Sequence, residues 1–152
     1  MPNQLDRARV IPAITLLCFS VMFTLLSSAQ ASETLVKTDA ALQLHIDLIE
    51  VALKTDSYNK RCRGISTSSN LHQVNRLYVT KYSLTANNFI KDYIDEDVRA
   101  FKTEREHTLN KLLAKIGGCD KAESQDWVKQ LKPDFKRLYE QAEADKLPWY
   151  PE

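Results

Sequence analysis

Glycine and proline are scarce: 3 and 5 residues in a chain of 152. So few of either excludes long disordered linkers and glycine-rich loops that cradle phosphates. An excess of one charge is missing too. Lys and Arg number 21 against 20 Asp and Glu, a net charge near +1. That balance excludes a strongly basic nucleic-acid binder, and no basic stripe runs along the chain. The 3 cysteines form neither a Cys-x-x-Cys redox pair nor a Cys-x-x-Cys-His haem attachment. Gly-x-Ser-x-Gly, His-Glu-x-x-His and phosphate-loop motifs are absent. What is present is 43% hydrophobic and 27% charged residues, enough for the core of a single domain.

Residues 1–31 read as a secretory signal peptide. Arg7 and Arg9 supply a positive start, an apolar stretch runs from Val10 to Leu26, and Ala29-Gln30-Ala31 is an A-x-A cleavage site. Cleavage is expected between Ala31 and Ser32. The apolar stretch is about 17 residues, at the short limit for a membrane span. It is interrupted by Thr15, Ser20 and Thr24, and no stop-transfer flank follows. A cleaved signal is therefore expected rather than a retained anchor, with no stable membrane insertion after export. Cys18 follows Leu17, not the small residue that precedes a lipid-modified cysteine, so it reads as apolar filler lost on cleavage. Residues 32–152 then form a single helical domain, periplasmic or secreted. That domain keeps equal numbers of acidic and basic side chains, so its net charge steers it toward neither nucleic acid nor anionic lipid.

Cys62 and Cys119 remain after cleavage. Two cysteines in an exported chain predict a disulfide between them. Closing that loop is worth about 4 kcal/mol in the chain-entropy model. The competing reading is a reactive thiol at Cys62, whose neighbours Lys60, Arg61 and Arg63 would lower its pKa.

Hydrophobic periodicity is helical throughout. From Thr38 to Lys54, Leu42, Ile46, Ile49 and Leu53 share a face that Leu44, Leu48 and Val51 widen, while Gln43, Asp47, Glu50 and Lys54 form a narrow polar stripe. So wide an apolar arc predicts the most buried helix. Residues 55–69, rich in Asp, Ser, Asn and Thr, read as a loop. A second helix fits Asn70 to about Tyr82, and the Ser83-Leu84-Thr85 step breaks or caps it. Thr85 to Ile116 reads as helix, kinked near Asp95, with Gly117-Gly118 as its C-cap. A last segment starts at Ser124 as N-cap and stays in phase across Pro133, as one kinked helix or two short ones. Strand-like alternation is confined to residues 78–84, which read better as helix. The expected fold is all-α, a bundle of four or five helices stapled by one disulfide.

Candidate sites are few. His45 falls inside the apolar arc of the first helix, as a hydrogen-bonded core histidine or as a ligand-binding group. Arg105 lies within the apolar face running from Val98 to Ile116, and demands a carboxylate or an anionic ligand. With Tyr78, Tyr82 and Phe101, these two are the candidate lining of an interhelical ligand pocket. Glu104 and His107 have the Glu-x-x-His spacing of di-iron bundles, but in one copy and on the solvent side. Asp92, Asp95, Glu96 and Asp97 read as a helix start rather than a calcium loop. Trp149 and Tyr150, set between prolines, are a candidate partner-binding tail or a flap that folds back to cover the bundle. No catalytic residue, metal or cofactor is expected.

A small exported helical domain with one disulfide resembles, in architecture and not in any motif, bacterial periplasmic accessory and toxin-immunity proteins. The leading expectation is a non-enzymatic protein acting by protein–protein interaction, in an accessory, inhibitor or immunity-like role. The alternative is a periplasmic carrier of a small amphipathic or anionic ligand. An enzyme using His45 with a carboxylate is the third reading.

Overall fold

The computed structural model describes residues 40–145. The expected signal peptide 1–31, the expected cleavage point after it and the Trp149–Tyr150 tail lie outside the described residues. All regular structure among the described residues is helical: α1 (residues 40–62), α2 (Ser69–Tyr82), α3 (Ala86–Tyr93), α4 (Val98–Ile116), α5 (Cys119–Glu123) and α6 (Asp126–Ala144). Cys62 and Cys119 are joined, their Cα atoms 5.3 Å apart. The all-α class and the staple are as the sequence predicts, but the helices among the described residues number six rather than four or five.

Two local events make the difference. The acidic run breaks the long helix instead of kinking it. Asp97 caps α4 by accepting from the Ala100 amide at 2.8 Å, and Asp95 accepts from the Asp97 amide at 2.9 Å. After α4, Gly117 takes the left-handed conformation at φ +94 and the Gly118 amide returns to the Leu113 carbonyl at 2.8 Å, a Schellman closure. The chain then winds the short α5. Ser124 is not the N-cap of the last helix. Its hydroxyl donates to the Lys121 carbonyl at 3.0 Å and closes α5, while Gln125 takes the cap position of α6. Pro133 is absorbed within α6, which continues as one helix.

The first helix also overruns its expected end at Lys54. Thr55 returns its hydroxyl to the Val51 carbonyl at 2.7 Å, inside the helix. Asp56 and Tyr58 are buried and Cys62 is bonded, so tertiary roles outweigh the weak helix propensity of Asp56, Ser57 and Asn59. At the other break, Ser83 adopts φ +54 and Thr85 caps α3 by accepting from the Asn88 amide at 3.1 Å.

The core has two parts. The larger takes Leu48, Ile49, Ala52 and Leu53 from α1, Val74, Leu77 and Tyr78 from α2, Phe89 and Ile90 from α3, Phe101 from α4, and Phe135, Leu138 and Ala142 from α6. The smaller takes Tyr58, Leu109, Leu113, Ala122, Val128 and Leu131. Helices α1, α4 and α6 therefore run through both. The first two pass from the larger part to the smaller and α6 returns. The α2–α3 pair covers one end, and α5 with the disulfide closes the other. No described helix is long and apolar enough to cross a membrane.

Candidate functional site

The periodicity that put His45 in the apolar arc also buries it: the side chain is 0% exposed. Tyr78 and Tyr82, one turn apart on α2, reach it from the same face. The Tyr78 hydroxyl lies 3.0 Å from Nδ1 and the Tyr82 hydroxyl 3.5 Å from Nε2. Nε2 also faces the Asp145 carboxylate at 3.9 Å. The Tyr78 hydroxyl also donates to the His45 backbone carbonyl at 3.3 Å, so both ring nitrogens of His45 and its carbonyl face tyrosine or carboxylate oxygens. Burial drives His45 from 6.5 down to about 4, with the nearby Lys81 adding to the fall and Asp145 opposing it. Burial, with Tyr82 beside it, pushes the Tyr78 hydroxyl well above its ordinary value. Both groups are neutral at pH 7. Both rings also pack against Phe89.

Lys81, next along α2, joins that helix to the end of α6. Its ammonium donates to the carbonyls of Ala142 at 2.7 Å, Glu143 at 3.0 Å and Asp145. Those are the carbonyls a helix C-terminus leaves without partners, and a cation is favoured there.

Arg105 stands apart from this cluster. Its guanidinium grips Glu50 of α1 through Nε at 2.8 and 2.9 Å and through a second nitrogen at 2.8 Å, with the Phe101 ring 4.4 Å below. The hydrogen bond it donates to Glu50 is the main reason its pKa is raised. The arginine inside an apolar face is thus an ion pair between α1 and α4, beside a recess of about 210 Å³ that Leu109 and Leu112 also line. Of the candidate pocket, the structure brings together His45, Tyr78 and Tyr82; Phe101 lies under Arg105 instead. His107 points to solvent as its angle predicts, and Glu104 accepts from Thr108 at 3.2 Å. No group of three metal-ligating side chains occurs among the described residues.

Three features had no signal in the sequence. Asp56 of α1 is buried and caps α2 across space, accepting from the amides of Asn70 at 3.1 Å and Leu71 at 2.9 Å. Residues 63–68 form an exposed knuckle just beyond Cys62. It turns at Gly64, φ +67, where the Ile65 amide returns to the Asn59 carbonyl at 3.1 Å. Ile65 is 44% exposed there, flanked by Arg61 and Arg63. Beneath the knuckle, between α2, α3 and α4, opens a concavity of about 670 Å³. Local periodicity is blind to all three, because each joins residues far apart in the chain. Compared with family models, curated proteins and solved structures, the chain matches none.

Proposed function

We propose that this is an exported, non-enzymatic helical protein that acts by binding another protein, in an accessory, inhibitor or immunity-like role, and that it meets its partner at the knuckle of residues 63–68 and the adjoining end of α1. The observation that carries the reading is Ile65, 44% exposed on the turn that follows the Cys62–Cys119 bond, with exposed Arg61 and Arg63 just before it in the chain. An apolar side chain on a turn next to two arginines suits an acidic surface with an apolar dimple. Preorganisation lowers the ordering cost of such a contact, and arginine is enriched at binding hot spots. The engagement of His45 with Tyr78 and Tyr82, and of Arg105 with Glu50, also supports an internal rather than a chemical role for them.

The test is affinity capture from envelope extract without reductant, using the tagged protein and the Ile65→Asp variant side by side. A stoichiometric protein retained by the first and lost by the second supports the reading. A partner held equally by both removes the knuckle from it. Turnover of an envelope substrate by the purified protein sinks it altogether.

A further inference from the structure

We propose that the concavity between α2, α3 and α4 binds a small organic anion, a carboxylate or a phosphoryl or sulfonyl ester with an apolar body, and that Lys102 holds its charged head. The concavity measures about 670 Å³, within the range of about 300–1,000 Å³ typical of small-molecule sites. Its lining is lopsided. Leu71 and Ala86 offer apolar wall, Ser68, Ser69, His72 and Asn87 offer polar groups, and no carboxylate among the described residues lines it.

Lys102 is the one ammonium in that lining. It is half-buried, and burial lowers its pKa. Its hydrogen bond goes to a neutral acceptor, the Asn87 carbonyl oxygen, at 2.6 Å. No carboxylate reaches it in an ion pair among the described residues. A cation drawn partly out of water without a counter-charge favours an anion that supplies one. Carboxylates do stand in the adjoining recess, but both are engaged. Glu106 pairs with Lys60 at 2.9 Å, and Asp56 holds the Asn70 and Leu71 amides. Because Asp56 takes those amides, the α2 N-terminus is not the anion receptor, and Lys102 carries the site. The site shares the 63–68 segment with the knuckle but none of the side chains named there, so the two readings stand or fall separately.

The test uses protein purified from the envelope of cells expressing the full chain, labelled with ¹⁵N. It is titrated with 1-anilinonaphthalene-8-sulfonate, and in parallel with the uncharged N-phenyl-1-naphthylamine of similar body. The anion should shift the amides of Leu71, His72, Asn87 and Lys102. Lys102→Gln should weaken its binding by about tenfold or more, as loss of a charged hydrogen bond does. Lys102→Arg should retain binding, and both variants should melt with the parent. The neutral probe should bind more weakly and ignore Lys102→Gln. Shifts confined to other residues, equal binding of the two probes, or indifference of the anion to Lys102→Gln would each overturn the proposal.

Discussion

At one end of the bundle α2 and α3 close over Leu48, Ile49, Tyr78, Phe89 and Ile90, each 0% exposed, with His45 enclosed among them. At the other end the core shrinks to Tyr58, Leu109, Leu113, Ala122, Val128 and Leu131, and a covalent bond lies beside it. The larger core holds its shape by burial, enough to enclose a polar side chain provided its nitrogens find partners. The smaller one buries less apolar surface and gains correspondingly less from water exclusion. A cross-link acts differently, by removing freedom from the unfolded chain. The disulfide therefore sits where burial alone does least, and the exposed knuckle of residues 63–68 follows directly on the same bond.

The most severe way to break that contrast is to remove the staple. Cys62→Ser combined with Cys119→Ser should cost about 4 kcal/mol, the loop-closure value for 57 residues, read as a shift in the denaturant midpoint. The damage should be uneven. Amides of α5 and of the turn after Cys62 should lose hydrogen-exchange protection first, and those of α2 and α3 last. Uniform loss of protection would mean that the two ends are one cooperative unit.

Acid tests the larger core. The unfolded chain binds a proton at His45 near pH 6.5, and the folded chain only near pH 4. Stability from this group is therefore full above about pH 6.5 and falls as the pH drops toward 4, because protonation favours the unfolded state. A shift of this size is worth about 3 kcal/mol. The double variant His45→Leu, Tyr78→Phe removes the titrating ring together with the hydroxyl that would be left alone. Denaturant unfolding at pH 7 and pH 4 should show the parent losing about that much more stability than the variant across the interval. Parallel losses would show that His45 is not sealed in the folded state.

A smaller effect is expected at the seam between α1 and α2. Asp56→Ala leaves the Asn70 and Leu71 amides without their acceptor. It should cost about 2 kcal/mol, the upper range for a helix cap. Exchange protection should fall in the first turn of α2 while the disulfide end is unchanged.

These three sites also mark how far the sequence could be read. Local rules were sufficient where a residue's fate depends on its own helix. The apolar arc buried His45 at the predicted angle, Gly117 closed α4, and His107 faced solvent. They failed where a distant partner decides. Asp56, Ser57 and Asn59 look like a loop by composition, yet α1 continues through them because Asp56 has a helix to cap, and Tyr58 and Cys62 have a core and a bond to reach. Ser124 looks like an N-cap, yet Gly118 starts a short helix before it that needs closing. The concavity around Lys102 joins residues of three helices and has no local pattern to show it.

Arg105 gives the mildest expected effect and the finest distinction. The sequence pairs it with His45, as two polar groups on apolar faces that must each find a partner. The structure separates them by environment. His45 has no exposure, whereas the Arg105 and Glu50 side chains keep 37% and 34% of theirs. Water still solvates that ion pair, so its Coulomb energy is screened, and its worth is about 1 kcal/mol or less despite close two-pronged geometry. Arg105→Met keeps the stem that packs over Phe101 and removes only the charge. It should shift the denaturant midpoint by less than a third of the His45 acid effect, and the shift should shrink further in high salt. A loss of about 3 kcal/mol instead, the size expected when a buried pair loses one partner, would place the α1–α4 seam with the sealed core.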